Sequence, residues 1–205
     1  MKLRRRLAWG GIFSLLTACS LYPAPSPAPH LFDFGPPHVR RYHGPALPPL
    51  AFAGFEAAAG AGGSGIHYRL LDRHPDELRR YPAAIWLAPP TRLMDARLKT
   101  RLAALSRPGT PRYLLRLTLV SWEEDFITST SAEDRVVVDA TLERPLDQDW
   151  QLHHVFVLTE GAAPGAPGAV VGFASLDHTL DRAITRWIAQ AIRLRTDAGV
   201  NTQSH

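Results

Sequence analysis

Cysteine is nearly absent from the 205 residues of this chain, which contain only Cys19. A single cysteine cannot form an intramolecular disulfide, so the chain must be stabilised by a hydrophobic core. Lysine is also scarce, and Lys99 is the only one after the first 18 residues. The apolar run near the N-terminus has roughly a dozen residues, and a transmembrane helix requires about 20. These shortages exclude a disulfide-stabilised scaffold and indicate that the N-terminal run does not form a stable transmembrane helix.

The excess of positive charge lies at the N-terminus. The formal net charge is +4, with 23 basic and 19 acidic residues. Four of the basic residues, Lys2, Arg4, Arg5 and Arg6, fall within the first 18 residues, which contain no acidic residue. Without that segment the charges balance, and no basic cluster with interleaved aromatic residues remains. The sequence therefore gives no support for nucleic-acid binding.

The first 19 residues are typical of an export signal. A basic segment is followed by an apolar run through Leu16 and then by the small residues Thr17 and Ala18. The segment Leu16-Thr17-Ala18-Cys19 resembles the lipobox of bacterial lipoproteins. The resemblance implies cleavage between Ala18 and Cys19, a thioether-linked diacylglycerol on Cys19, and an N-acyl chain such as palmitate. Two or more acyl chains anchor a protein stably to a bilayer. An ordinary signal peptide with a chance cysteine is the alternative.

Residues 19–30 form a proline-rich segment after this signal. Pro23, Pro25, Pro27 and Pro29 alternate with small residues, a pattern typical of an extended polyproline-like chain. At about 3.1 Å per residue, the part from Ser20 to His30 reaches roughly 35 Å. We interpret it as a tether between the lipid and a folded domain. A disordered leader with no spacing role is the alternative.

The pattern that follows predicts a single α+β domain over residues 31–195, with a disordered tail at 196–205. Its mixed, mostly antiparallel sheet is expected to pack against two amphipathic helices. Predicted strands cover residues 31–35, 50–55, 66–71, 77–87, 113–120, 136–142 and 150–158. One helix is predicted to begin at Pro89-Pro90 and end before Pro108, and the clearest part of a second, final helix begins near Ser175. Residues 161–168 are expected to form a loop, and residues 76–80 could form a helical turn instead of a strand.

A glycine-rich stretch matches a dinucleotide-binding pattern at Gly60, Gly62 and Gly65. That site requires a helix directly after the glycines, whereas the residues that follow alternate like a strand. Ser64 lacks the G-x-S-x-G pattern of a hydrolase nucleophile. Neither feature predicts an active site.

The histidines do not have the spacing of zinc ligands. His153 and His154 are adjacent on a predicted strand, so their side chains point to opposite faces. His67 and His74 also lack that spacing. Ordinary surface or core positions are expected for all four.

Two further groups of residues were considered as candidate sites. Glu123-Glu124-Asp125 is interpreted as a solvated strand terminus, with cation binding as the alternative. Four tryptophans lie on predicted strands or helices and are expected in the core, namely Trp86, Trp122, Trp150 and Trp187.

The chain resembles the ABC-type transport auxiliary lipoprotein family, which includes the paraquat-inducible protein C group. The lipobox and proline-rich segment are the first similarity, and Phe32-Asp33-Phe34-Gly35-Pro36 is the second. The third is Ile66-His67-Tyr68-Arg69, followed by Tyr81 and by Trp86-Leu87-Ala88-Pro89-Pro90 with Leu93 and Leu98. The fourth is Tyr113-Leu114-Leu115-Arg116-Leu117 together with the final helix.

This resemblance implies a non-enzymatic outer-membrane lipoprotein that faces the periplasm and takes part in lipid transport. It would dock or receive an MCE-domain protein that bridges the periplasm, and it could assemble as a homo-oligomeric ring. ATP hydrolysis would belong to an inner-membrane component, since this chain has no P-loop. Ser20 after the lipidated cysteine favours the outer membrane, by resemblance to enterobacterial sorting. No cofactor or metal is expected besides the lipid on Cys19.

Two other hypotheses remain. One is an accessory binding protein in envelope assembly or peptidoglycan synthesis. The other is a lipid-anchored hydrolase that uses Ser64 or one of the histidines.

Overall fold

The structure, a computed structural model, describes residues 28–36 and 46–202. The predicted signal peptide, the cleavage and lipidation site at Ala18 and Cys19, and most of the tether lie outside these residues and stay predictions. The strands are β1 (His30–Phe32), β2 (Leu50–Ala57), β3 (Gly65–Leu70), β4 (His74–Trp86), β5 (Tyr113–Thr128), β6 (Ser131–Arg144) and β7 (Asp147–Ala162). The helices are α1 (Pro90–Leu105) and α2 (Ala166–Thr202). The predicted α+β class is confirmed.

One mixed sheet of seven strands is built around β5. Along one edge, β5 pairs antiparallel with β6, and β7 follows in the predicted antiparallel meander. Along the other edge, β2 pairs with the first half of β5 and β3 with the second half, both in parallel. β4 pairs with β3, and β1 pairs in parallel with β4 at the far end of the sheet. The sheet is therefore open, with β1 and β7 at opposite ends of the strand order.

The hydrophobic core lies between the sheet and the two helices. Strands contribute alternate side chains, as in β6, where Val136 and Val138 are completely buried. An aromatic cluster fills the centre, with the rings of Trp122 and Phe173 stacked at a centroid distance of 4.4 Å. Trp86 packs edge-on against both rings. The expected core positions are confirmed for Trp86, Trp122 and Trp150, which are buried, and for Trp187, which is partly buried.

The final helix begins earlier than the sequence predicted. β7 continues to Ala162 and α2 begins at Ala166, so the expected loop at 161–168 is mostly strand and helix. Gly165 has a φ of 107°, a conformation that favours glycine, and allows the sharp turn between the two elements. Pro167 fits the first helical turn, where its missing amide hydrogen has no intrahelical partner. The helix also extends to Thr202, so residues 196–202 of the expected tail are helical.

β4 is a strand throughout, and the alternative of a helical turn at residues 76–80 is wrong. A proline within a strand is expected only at a sheet edge or a bulge, and β4 contains Pro82. The register between β3 and β4 shifts between Arg80 and Ile85, and Pro82 lies within this irregularity. A proline cannot donate a ladder hydrogen bond, so it is tolerated where the ladder is interrupted.

Candidate functional site

The interpretation of Glu123-Glu124-Asp125 as a solvated strand terminus is wrong. β5 continues beyond them to Thr128, and their exposed fractions are only 7%, 0% and 3%. β3 and β6 pair with opposite edges of this part of β5, so the strand does not end where its apolar alternation ends. A bulge between Leu119 and Ser121 reverses the alternation, which turns Trp122 and Glu124 toward the core.

Glu124 is held by two hydrogen bonds from distant parts of the chain. The Tyr81 hydroxyl of β4 donates to Oε2, and the Gly165 amide before α2 donates to Oε1 at 3.0 Å. Burial raises the pKa of Glu124, and both hydrogen bonds lower it. Burial and the nearby carboxylate also raise the pKa of the Tyr81 hydroxyl. Glu124 therefore joins the centre of the sheet to the beginning of α2.

Asp134 of β6 lies opposite Glu124 in the strand register and is 0% exposed. Burial, reinforced by the charge of Glu124, raises the pKa of Asp134 to about 8, against the lowering effect of the Phe173 amide. The helix above it approaches closely at Gly172, where a Cβ atom would lie 2.0 Å from Asp134 Oδ2. Only glycine permits this approach. Burial and the charge of Glu124 therefore both favour the protonated form of Asp134.

The opposite face of β5 carries a second set of charged groups. Arg69 of β3 donates to Glu123 at 2.9 Å. Burial and then Glu123 raise the pKa of Asp125 to about 6, while Arg135 and Arg69 lower it. His67 lies beside Glu123, and burial followed by Arg80 lowers its pKa. Within residues 28–36 and 46–202, no three His, Cys, Asp or Glu side chains are arranged to hold a metal ion.

The structure does not bring the other candidate residues together into one site. Ser64 precedes β3, where its carbonyl accepts a hydrogen bond from the Trp86 amide at 2.7 Å. The strand predicted after the glycine-rich stretch is confirmed, and no helix begins there. His74 is exposed at the start of β4.

His153 and His154 lie on opposite faces of β7, as predicted. His153 Nδ1 is 3.1 Å from the Thr141 hydroxyl on the open face. His154 stacks on Trp187 of α2 at a centroid distance of 5.7 Å. These two histidines cannot share a ligand while β7 stays regular.

A groove of about 630 Å³ lies between α2 and the segment that contains β1. Leu31 and Phe32 line one wall, and Val170, Val171 and Ala174 line the other. Leu31 is 61% exposed and Val171 is 72% exposed. Sequence analysis missed this groove because its walls come from the two ends of the chain. It lies where the tether joins the domain, directly after His30.

The overall architecture also occurs in solved structures. The crystal structure of protein XCC0632 from Xanthomonas campestris, which is described by the DUF330 family model, superposes with a TM-score of 0.68. The match covers 82% of this chain and 99% of that chain at 18% identity. The two proteins share a fold. At this identity the similarity shows the fold and not the activity.

Two other structures are less similar. An uncharacterised protein matches with a TM-score of 0.50 and 12% identity over 77% of this chain and 99% of that chain. A candidate lipoprotein from Caulobacter crescentus CB15 matches with a TM-score of 0.28 and 18% identity over 48% of this chain and 83% of that chain. The last match is too weak to carry an argument.

No family model and no curated protein matches this sequence. In the described part of the chain, neither helix has the length and apolar character needed to cross a bilayer.

Proposed function

We propose that this chain is a lipid-anchored, non-catalytic docking component of an MCE/ABC-type intermembrane lipid transport system. Cys19 holds it at the outer membrane, with the domain facing the periplasm. The domain docks the MCE-domain protein that spans the periplasm, and an inner-membrane component of the system supplies the energy. The proposal combines the lipobox, the family resemblance of the sequence and the surface described below.

The observation that carries the proposal is the apolar groove beside β1. Leu31 and Val171 both line it and are largely exposed. Covering apolar surface gains about 25 cal/mol per Å² removed from water, so contiguous exposed apolar patches mark binding surfaces. The groove also lies at the tethered end of the domain. A partner protein that reaches toward the membrane therefore meets the groove close to the anchor.

The test is co-purification of the full-length, C-terminally tagged protein from gently solubilised membranes. Co-purifying proteins and lipids are identified by mass spectrometry. We expect an MCE-domain protein with the wild type and much less with Cys19→Ala, which removes the lipid. Val171→Arg should also abolish recovery because it places a charge in the groove. Leu194→Arg is the matched control, since Leu194 lies on the same helix outside the groove and is 64% exposed.

Two outcomes would contradict the proposal. Undiminished recovery of the MCE protein with Val171→Arg would show that the groove is not the docking surface. Recovery of a cell-wall synthase or an assembly machine, without any MCE protein after cross-linking, would favour the accessory role in envelope assembly or peptidoglycan synthesis.

A further inference from the structure

One arginine joins three separate parts of the chain beside the groove. Arg97 lies on α1, and its Nη1 atom donates a hydrogen bond to Asp177 Oδ2 of α2 at 3.2 Å. Its Nη2 atom donates to the Gly35 carbonyl in the segment after β1. The guanidinium carbon also lies 5.3 Å from the centre of the Phe34 ring. A single side chain therefore connects α1, α2 and the segment after β1.

These contacts reach both walls of the groove. Gly35 lines the wall that follows β1, and Ala174 and His178 line the wall on α2. Asp177 lies between these two helical residues and is three positions from Ala174, so it lies along the same side of the helix. Arg97 thus bridges the two walls from the side of α1.

The wall that follows β1 has few other contacts at its exposed end. β1 has three residues, and among the described strands it pairs only with β4. Phe34 is anchored in the aromatic core, where its ring centre lies 5.2 Å from that of Trp86. Gly35 is exposed, with its amide bonded to the Asp33 side chain at 2.8 Å. Both of those groups belong to the same short turn, so the hydrogen bond from Arg97 is the contact that joins this end of the wall to the helices.

The geometry points to Arg97 as a positioning residue that sets the separation of the groove walls. We call Arg97, Gly35 and Asp177 the wall clamp. A groove of fixed shape binds a partner more tightly, because fewer groups must be ordered when the partner binds. The part that the wall clamp plays in docking rests on the proposed function, whereas its effect on the groove can be measured without any partner.

The wall clamp depends on the shape of the guanidinium group. Its donors are fixed in a plane and point in different directions, which lets Nη1 and Nη2 serve separate acceptors. A lysine has the same charge but concentrates it at one point on a flexible stem. Arg97→Lys therefore keeps the positive charge between the helices and cannot hold Asp177 and Gly35 together.

Arg101, one turn later on α1, provides the matched control. Its Nε atom lies 3.5 Å from Asp181 Oδ2 of α2, and its side chain is 17% exposed, against 20% for Arg97. Among the described residues, no hydrogen bond joins Arg101 to the segment after β1. Arg101→Lys therefore makes the same chemical change at the same pair of helices without altering the wall clamp.

Spin labels across the groove measure the wall separation in the full-length lipidated protein. Cys19 is expected to be blocked by its thioether, so Leu31→Cys and Val171→Cys introduce the only free thiols. Both positions line the groove, on opposite walls, and both are largely exposed. Electron paramagnetic resonance should show a narrow distribution of distances between the labels. Arg97→Lys should broaden this distribution, and Arg101→Lys should leave it unchanged.

Recovery of the MCE-domain protein from unlabelled variants gives the second readout. Arg97→Lys should reduce recovery about tenfold, the change in an equilibrium constant expected for one hydrogen bond to a charged group. Arg101→Lys should give the recovery of the wild type. Asp177→Asn releases the wall clamp from α2 and should resemble Arg97→Lys in both measurements. Circular dichroism establishes that each variant is folded.

The two readouts separate this inference from the proposed function. An unchanged distance distribution in folded Arg97→Lys and Asp177→Asn would overturn the wall clamp. Equal effects of Arg97→Lys and Arg101→Lys would also overturn it, since any ion pair between the helices would then suffice. A broadened distribution in Arg97→Lys, with no MCE-domain protein recovered even with the wild type, would support the wall clamp and contradict the proposed function.

Discussion

Stability should fall with rising pH because of the buried carboxyl group of Asp134. The pKa of an aspartate is about 3.9 in an unfolded chain. The folded protein raises the pKa of Asp134 to about 8. A raised pKa stabilises the fold fully below the unfolded value, and this contribution is lost as the pH rises through the folded value. Each pH unit between the two values removes about 1.4 kcal/mol, so the loss from pH 5 to pH 7 is about 3 kcal/mol.

The perturbation that tests this is Asp134→Asn, which keeps the shape of the side chain but carries no charge at any pH. Urea unfolding followed by tryptophan fluorescence at pH 5, 6 and 7 gives the free energy of unfolding. The variant should gain about 3 kcal/mol relative to the wild type across this range. Burial also raises the pKa of Asp177, but its effect cancels in the difference because it does not interact with Asp134.

Asp139→Asn is the matched control for this experiment. Asp139 lies on the same strand but is exposed on the opposite face of the sheet. Its substitution should leave the pH profile unchanged. Parallel profiles of Asp134→Asn and the wild type from pH 5 to pH 7 would refute the reasoning that burial keeps Asp134 protonated.

Three further predictions concern the contacts of the helices with the sheet. Gly172→Ala should destabilise the fold by about 1–3 kcal/mol in thermal denaturation, because the new Cβ meets the Asp134 carboxyl. In an Asp134→Ala background the same change should stabilise instead, and additive effects of the two substitutions would contradict the contact. Arg97→Ala should lower the free energy of urea unfolding by about 1–3 kcal/mol at pH 8, since it removes the cation 3.2 Å from Asp177. The loss should be smaller at pH 5, below the pKa of about 7 to which burial raises Asp177, and a pH-independent loss would contradict this. Phe173→Ala should cost about 3–5 kcal/mol because its ring is completely buried, and a loss in thermal stability below about 1 kcal/mol would contradict its central position.

Residues with a regular alternation or an unambiguous local signal were predicted correctly from the sequence. The buried face of β6, including Val136 and Leu142, follows the two-residue period of a strand with one side in the core. The start of α1 follows from Pro89-Pro90. These features depend on the pattern of neighbouring residues, so the sequence contains the necessary information. The antiparallel meander of β5, β6 and β7 follows from the short connections between these strands in the same way.

The carboxylate cluster could not be predicted in this way. Consecutive acidic residues such as Glu123 and Glu124 suggest the end of a strand because burying a charge is unfavourable. Their burial depends on partners far away in the chain, among them Tyr81, Gly165 and Arg69. A bulge of one residue then decides which face each of them occupies.

Sequence alone was sufficient to predict the α+β class, the positions of most strands, the antiparallel meander of β5, β6 and β7 and the core tryptophans, and it supplies the prediction of a lipid-anchored chain. Those properties depend on short-range periodicity and on motifs of a few residues. Three features became visible only in the folded chain: β2 and β3 share one edge of β5, the acidic residues are buried, and a groove forms beside β1. Parallel pairing and grooves join segments that are distant in sequence. Their formation depends on the packing of the whole chain, which no local pattern specifies.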